Sequence, residues 1–180
     1  CGAVGNLAGK NAGNQGQITA AGGIDNVLAA MRKHKSNAEV QEKGCSALGN
    51  LAGSNPDNQG QIAAAGGIDD VLAALRKHRS IAVVQVVGCS ALGNLAGNNA
   101  DNQGQIPAAG GIDHVLAEMR KHKSNAAVQE KRCSALGNPA GSNPTTAAPS
   151  TGADGISGVR AALIKQTSTI AHHTARLHAQ

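Results

Sequence analysis

The four cysteines are the most chemically versatile side chains of this sequence, because a thiolate can bind metal, form a disulfide or attack a substrate. They recur at a constant interval of 44 residues, at Cys1, Cys45, Cys89 and Cys133. The neighbouring residues recur with them, since Cys45 and Cys89 both open the segment CSALGNLAG. Each cysteine therefore takes the same position in its own copy of a repeated unit, as in an array of stacked repeats.

That spacing argues against disulfides. Neighbouring helices pack about 8–10 Å apart, whereas a disulfide needs Cα atoms within about 7 Å of each other. We therefore expect the cysteines to be small buried hydrophobes. Reduced thiols are typical of a reducing compartment, so the predicted location is intracellular, either cytoplasmic or nuclear.

Metal binding, cofactor binding and catalysis are not expected from the other reactive side chains. The histidines of the C-terminal segment, His172, His173 and His178, lack the spacing of a metal-ligand pair. Gly22 and Gly23 lie between two predicted helices and not after a strand, so they do not form a phosphate-binding loop. The serines that follow the cysteines have no base nearby in the pattern. The sequence thus predicts a protein that is not an enzyme and holds no metal or cofactor.

Three basic segments recur with the same period and contain nine of the sixteen Lys and Arg residues. They consist of Arg32, Lys33, Lys35, Arg76, Lys77, Arg79, Arg120, Lys121 and Lys123. Stacked repeats would align them along one basic edge, which could follow the phosphates of nucleic acid or of acidic lipids. The alternative is a solvated helix end that complements the helix dipole. The chain has no aromatic residue to stack on bases, which argues against nucleic acid.

The composition bounds the protein further. The 180 residues carry a net charge of +5, which is compatible with an acidic partner. Aromatic side chains dominate the energetics of most cores, and their absence predicts a thin core and a marginally stable array. No apolar stretch approaches the ~20 residues of a membrane-spanning helix.

Each repeat is predicted to contain three helices, and the second repeat shows them best. Asp57 is the expected N-cap of a first helix near residues 58–65. Gly66 and Gly67 break the chain before a second helix that starts near Asp69. Its apolar face consists of Ile68, Val71, Leu72 and Leu75.

The third helix is predicted over residues 82–96. Gly97 is expected to end it as a C′ residue. Its inner stripe consists of Val84, Gly88, Ala91, Leu92 and Leu95.

These segments resemble the armadillo repeat in their order, their period and their local sequences. The matching segments are Asn58-Gln59 with Ile62, Ala65-Gly66-Gly67-Ile68, Val40-Gln41-Glu42, and ALGNLAG at residues 47–53. The resemblance covers residues 1–138 and extends to the arrays of importin-α, β-catenin, vacuolar armadillo proteins and leucine-rich-repeat kinases. It implies an all-α fold, a right-handed α-solenoid with three helices per 44-residue repeat, which is an armadillo-like superhelix.

The resemblance also implies that the third helices line a concave groove. The family's groove asparagine matches Asn6, Asn50, Asn94 and Asn138. Amides both donate and accept hydrogen bonds, which suits the main chain of an extended peptide. The alternative is that these asparagines only satisfy local backbone groups near the helix end.

Two further rows of residues belong to the implied groove. Ser46, Ser90 and Ser134 stand where nuclear-signal-binding members have tryptophan, so the cation–π contacts to a Lys or Arg ligand are missing. Glu42 and Glu130 lie one turn earlier and could engage a basic ligand. They would be ~20 Å apart by helix spacing, which is too far for shared acid–base catalysis.

The predicted organisation follows the period. Residues 1–13 are the end of a preceding repeat, repeats span 14–57, 58–101 and 102–145, and Pro139 breaks the third helix of the last one. Residues 146–180 are a degenerate fourth repeat or a partly disordered tail.

The predicted function is that of a non-catalytic protein–protein interaction scaffold that binds an extended peptide or partner in the groove. The alternative is polyanion binding, to nucleic acid or acidic lipid, through the basic edge. Uncapped repeat ends expose apolar faces, which could also drive self-association.

Overall fold

The described part of the chain consists of helices. The computed structural model describes residues 1–121, with side chains through residue 117. In chain order the helices are α1 Gly2–Ala8, α2 Ala12–Ala20, α3 Gly23–Lys33, α4 Ala38–Ala52, α5 Pro56–Ala64, α6 Gly67–Lys77, α7 Ala82–Ala96, α8 Ala100–Ala108 and α9 Gly111–Lys121. The predicted all-α class is confirmed for these residues. None of these helices is long and apolar enough to cross a membrane.

The helices recur in trios that match the sequence period. Helices α2, α3 and α4 have the same lengths as α5, α6 and α7, and each begins 44 residues before its counterpart. Helices α8 and α9 begin the next trio, and α1 corresponds to the second half of α4. Each third helix packs most extensively on the third helix of the neighbouring trio. This packing is that of a helical repeat.

The helix boundaries of the second trio differ in part from the prediction. Helix α7 spans the predicted residues 82–96. Helix α5 begins at Pro56 because its N-cap is Asn55, whose side-chain oxygen accepts a hydrogen bond from the backbone N–H of Asn58 at 3.1 Å. The assignment of Asp57 as N-cap was therefore wrong: Asp57 lies in the first turn, where its charge suits the helix dipole.

The two glycines at the break between α5 and α6 have different tasks. Gly66 has a φ of +79°, in the left-handed region that only glycine adopts without cost. Gly67 is the first residue of α6 and lies against the carbonyl of Ile62. The predicted end of α7 at Gly97 is confirmed, but Gly97 is the C-cap and not the C′ residue: it has a φ of −61° and a ψ of 108°, and the left-handed residue is Asn98 with a φ of +56°.

The core contains the apolar stripes that the period of the sequence predicts. On α6 the four stripe residues are at most 3% exposed, and on α7 the predicted aliphatic residues are at most 1% exposed. The largest fully buried aliphatic side chains are Leu28, Met31, Leu48, Leu51, Ile62, Leu72, Leu75, Leu92 and Leu95. Both predicted stripes are therefore confirmed, and α6 buries its apolar face as an amphipathic helix does.

Two of the three described cysteines are buried, as predicted. Cys45 and Cys89 are buried and form no disulfide, and Cys1 is half-buried. Burial, with smaller contributions from Cys89 and Asp70, raises the pKa of the Cys45 thiol to about 12. Cys133 lies outside the described residues.

We expect Cys45 to resist alkylation in the folded chain at pH 8.5, because the thiolate is the reactive form. Iodoacetamide labelling followed by peptide mass spectrometry would test this, with Cys1 as the accessible internal reference. The same reaction in guanidinium should label both residues equally. Equal labelling of Cys45 and Cys1 before unfolding would contradict the prediction.

Helix α8 contains a proline near its end that its counterparts lack. Pro107 lies inside α8, and the equivalent positions of α2 and α5 hold Thr19 and Ala63. A proline removes the hydrogen bond to the carbonyl four residues earlier and crowds that carbonyl, at a cost of about 3 kcal/mol.

We therefore expect Pro107→Ala to raise the free energy of unfolding and Ala63→Pro to lower it by about 3 kcal/mol. Urea unfolding of the full chain, followed by circular dichroism, measures both changes. Unchanged stability in both variants would show that the helix ends tolerate the proline.

Several predictions fall outside the described residues. The break at Pro139 and the nature of residues 146–180 are among them. The repeat boundaries at 14, 58 and 102 also stay predictions; helices α2, α5 and α8 each begin two residues earlier.

Candidate functional site

The third helices lie side by side and form one face, which we call the helix-three face. Helices α1, α4 and α7 contribute to it, and α4 contacts both of its neighbours. The close approach depends on small residues. A Cβ atom on Gly49 would lie 3.2 Å from the Cα atom of Ala91, and one on Gly5 would lie 3.3 Å from that of Ala47. The backbones of adjacent third helices are therefore nearly in contact.

The structure brings the predicted groove residues of α4 and α7 onto this face. Residues at i, i+4 and i+8 lie on one side of a helix. The row on α4 is Glu42, Ser46 and Asn50, and the row on α7 is Val86, Ser90 and Asn94. All six residues are half-buried, and Asn6 on α1 is exposed. Glu130, Ser134 and Asn138 lie outside the described residues.

The asparagines make a contact that the sequence did not reveal. The Nδ2 atom of Asn50 donates a hydrogen bond to the carbonyl of Gly5 at 2.9 Å, and that of Asn94 donates to the carbonyl of Gly49 at 2.9 Å. Each amide thus joins its own third helix to the preceding one. The acceptor is a backbone group near a helix end, as the alternative expected, but it belongs to a neighbouring repeat and is not local.

Each of these amides keeps further hydrogen-bonding capacity. An amide has two N–H donors and a carbonyl acceptor. Among the described residues, the side-chain carbonyls of Asn50 and Asn94 accept no hydrogen bond. The side chains of both residues are half-buried and not enclosed.

The carboxylate on this face already has a cation beside it. The Oε1 atom of Glu42 lies 2.7 Å from the Nζ atom of Lys43. The hydrogen bond to Glu42, together with its charge, raises the pKa of Lys43. A basic ligand that engages Glu42 must therefore compete with a neighbouring ammonium group.

The basic edge is partly occupied by contacts between repeats. The Nε atom of Arg32 lies 2.7 Å from the Oδ2 atom of Asp70, and its Nη2 atom donates to the carbonyl of Ala65 at 2.6 Å. Arg76 donates to the carbonyl of Ala109, also at 2.6 Å. Both arginines bind the end of the first helix in the following trio. Both side chains are nevertheless exposed, so their part in the basic edge stays a prediction.

The rest of the basic edge is exposed where the structure describes it. Lys33, Lys35, Lys77 and Arg79 are exposed. Arg120 and Lys121 lie in α9, with their side chains outside the described part, and Lys123 lies outside it altogether. Polyanion binding by these residues stays a prediction.

Glutamines of the first helices form a polar network that sequence reasoning missed. The Nε2 atom of Gln59 lies within hydrogen-bond distance of three carbonyls: Ala52 at 3.2 Å, Asn94 at 2.9 Å and Gly97 at 3.1 Å. Gln15 makes the equivalent contacts one repeat earlier. These carbonyls belong to helix ends, which lack intrahelical donors. The signal in the sequence is the recurrent Asn-Gln pair that opens each repeat.

Glutamines of the third helices donate hydrogen bonds to carbonyls at the C-terminal ends of the second helices in the same way. Gln41 donates to the carbonyls of Met31 and His34, and Gln85 donates to those of Leu75 and His78. Buried amides in this chain thus satisfy the helix ends. Within residues 1–121, no group of three or more His, Cys, Asp or Glu side chains is placed to hold a metal ion.

The chain matches no family model, and no curated protein matches it. Two crystal structures of engineered proteins from the Northeast Structural Genomics Consortium are similar in fold. Each has a TM-score of 0.72 and 24% sequence identity, over 89% of this chain. The chain spans 59% of the length of one and 41% of the other. At this identity the likeness concerns the fold alone.

Proposed function

We propose that this chain is a non-catalytic interaction array of the armadillo type, which binds an extended segment of a partner protein across the helix-three face. The proposal includes a right-handed superhelix whose concave side is formed by this face, and an intracellular location. Trios of helices, the Gly-Gly break and buried reduced thiols support it.

The observation that carries the proposal is the alignment of Ser46 and Asn50 with Ser90 and Asn94. These half-buried polar residues lie on two helices that are nearly in backbone contact. Their hydroxyl and amide groups offer both donors and acceptors, as an extended peptide main chain requires. Such a surface gains affinity from the main chain of the ligand and specificity from the side chains that lie beside it.

The contact of each asparagine with the preceding helix favours this role. A ligand normally loses affinity when it must order the side chains that it meets. Here the hydrogen bonds to Gly5 and Gly49 already hold the amides of Asn50 and Asn94 in one orientation. The side-chain carbonyl of each amide is therefore presented to a peptide N–H without further ordering.

The experiment is to block the face without removing the asparagines, because these also hold neighbouring helices together. We would screen the full chain against a library of extended peptides, beside a Ser46→Tyr/Ser90→Tyr variant. The matched control is Gln17→Tyr/Gln61→Tyr, which adds the same bulk at exposed positions of α2 and α5. All three proteins would be compared for helical content by circular dichroism.

We expect peptides that bind the wild-type chain and the glutamine control but bind the serine variant at least about tenfold more weakly, a loss of about 1.4 kcal/mol. Absence of binding peptides, or equal binding by both variants, would overturn the proposed function.

A further inference from the structure

The second repeat differs from the first in one cluster on its third helix, which we call the valine patch. It consists of Ile81, Val83, Val86 and Val87. The equivalent residues of the first repeat are Asn37, Glu39, Glu42 and Lys43. An uncharged aliphatic surface thus replaces a charged one at the same place in otherwise similar helices.

Core packing accounts for only two of the four residues of the valine patch. Val83 is 45% exposed, and Val86 is half-buried. Ile81 and Val87 are half-buried and pack against the core from outside. Asn37 caps α4 by accepting hydrogen bonds from the backbone N–H groups of Glu39 and Val40, whereas Ile81 at the start of α7 makes no side-chain cap. The second repeat therefore lacks a stabilising cap where it exposes aliphatic surface.

The valine patch is continuous with the polar row of the same helix. Val83, Val86, Ser90 and Asn94 are separated by three or four residues, so they lie on one side of α7. A peptide that crosses the helix-three face at Ser90 therefore passes beside the patch. A contiguous apolar surface that is rimmed by polar residues is a feature of interaction sites.

The neighbouring helix has the opposite character. At the equivalent place on α4 are Glu39 and Glu42, with Lys43 as the cation beside them. Two carboxylates against one ammonium leave an excess of negative charge. Glu39 is exposed and Glu42 half-buried. A ligand that spans both helices thus meets an aliphatic surface on one and an acidic surface on the other.

The spacing of the helices sets the spacing of the ligand's side chains. Packed helices have axes about 8–10 Å apart. A polyproline II segment advances about 3.1 Å per residue and repeats its side-chain direction every third residue, over about 9.3 Å. We propose that the valine patch binds an aliphatic side chain of an extended, polyproline II-like peptide, and that a Lys or Arg three residues away meets the carboxylates of Glu39 and Glu42.

This inference rests on the proposed function and names the ligand class of the same face. The probes are two fluorescent peptides, Gly-Leu-Pro-Pro-Lys-Gly and the reversed Gly-Lys-Pro-Pro-Leu-Gly, because the direction of binding is open. A third peptide replaces leucine with serine, and a fourth replaces lysine with serine. Fluorescence polarisation with the full chain gives the dissociation constants.

The chain itself supplies the variants. Val83→Glu/Val86→Glu/Val87→Lys gives α7 the residues of α4, and Glu39→Val/Glu42→Val/Lys43→Val gives α4 those of α7. Both sets already occupy this position in a 15-residue helix, so the fold is expected to survive. Circular dichroism of each variant tests whether its helical content is unchanged.

We expect one leucine-containing peptide to bind at least tenfold more tightly than the serine peptide. That preference should vanish in the α7 variant, and the α4 variant should lose the preference for lysine. Failure of both leucine peptides to bind, or an unchanged preference in the α7 variant, overturns the inference. If library peptides still depend on Ser46 and Ser90 in that case, only the inference fails and the proposed function stands.

Discussion

Replacing Gly67 with alanine is expected to lower the free energy of unfolding by about 3 kcal/mol, near the upper end for overpacking a buried site. A Cβ atom at Gly67 would lie 2.8 Å from the carbonyl oxygen of Ile62 and would also meet the Cγ2 atom of that residue. The oxygen belongs to the backbone of α5, so the clash can be relieved only if α5 and α6 separate. Urea unfolding of the full chain measures the loss.

The control for Gly67→Ala is the same substitution one helix earlier. Gly60 lies in the middle of α5, is exposed, and has no atom within 4 Å of a Cβ placed on it. Gly60→Ala should therefore stabilise the chain by about 0.5–1 kcal/mol, because alanine restricts the unfolded backbone. The two substitutions should thus have opposite signs. A similar effect of both would show that the contact with Ile62 does not limit this site.

Replacing Gln59 with leucine is expected to lower the free energy of unfolding by about 2–4 kcal/mol, because each buried acceptor without a donor costs about 1–3 kcal/mol. Gln59 is 2% exposed and serves carbonyls at the ends of both α4 and α7. Leucine has a similar size and no donor. Because these bonds couple two repeats, the variant should also unfold less cooperatively.

Gln61 provides the control for Gln59→Leu, since it lies two residues away in α5 and is exposed. Gln61→Leu should change stability by no more than about 0.5 kcal/mol, as is usual for surface positions. Urea unfolding gives the stability, and hydrogen exchange at the end of α7 reports the local loss. Retention of full stability and of exchange protection in the Gln59 variant would contradict the role assigned to the network.

The internal contacts of the array change how its surfaces are understood. Asn50, Asn94, Arg32 and Arg76 all stand at positions that suggest ligands, yet each binds a neighbouring repeat. The array has no aromatic side chains with which to join its repeats. Hydrogen bonds between amides or guanidinium groups and helix-end carbonyls supply part of that connection. A substitution at any of these four residues is therefore expected to change the stability of the array as well as its binding of a ligand.

The sequence by itself determined the features that depend on local periodicity. The 44-residue period, the span of α7 and the apolar stripes of α6 and α7 follow from the order of residues, because a helix's side chains repeat every 3.6 residues whatever surrounds it. Burial of Cys45 and Cys89 followed from the same period. The Gly-Gly break was also visible, although the different tasks of Gly66 and Gly67 were not.

Only the tertiary structure decided which polar groups meet. The amide of Asn50 contacts a residue 45 positions away, Arg32 one 33 positions away, and Gln59 one 35 positions away. The first two separations join different repeats, and the third joins the first and third helices of the second trio. The geometry between repeats depends on how closely glycine lets neighbouring third helices approach. A sequence shows that a side chain can donate a hydrogen bond, but its acceptor is a backbone carbonyl, which every residue carries. The residue types therefore do not identify the accepting carbonyl. The packing of the helices determines which carbonyl accepts.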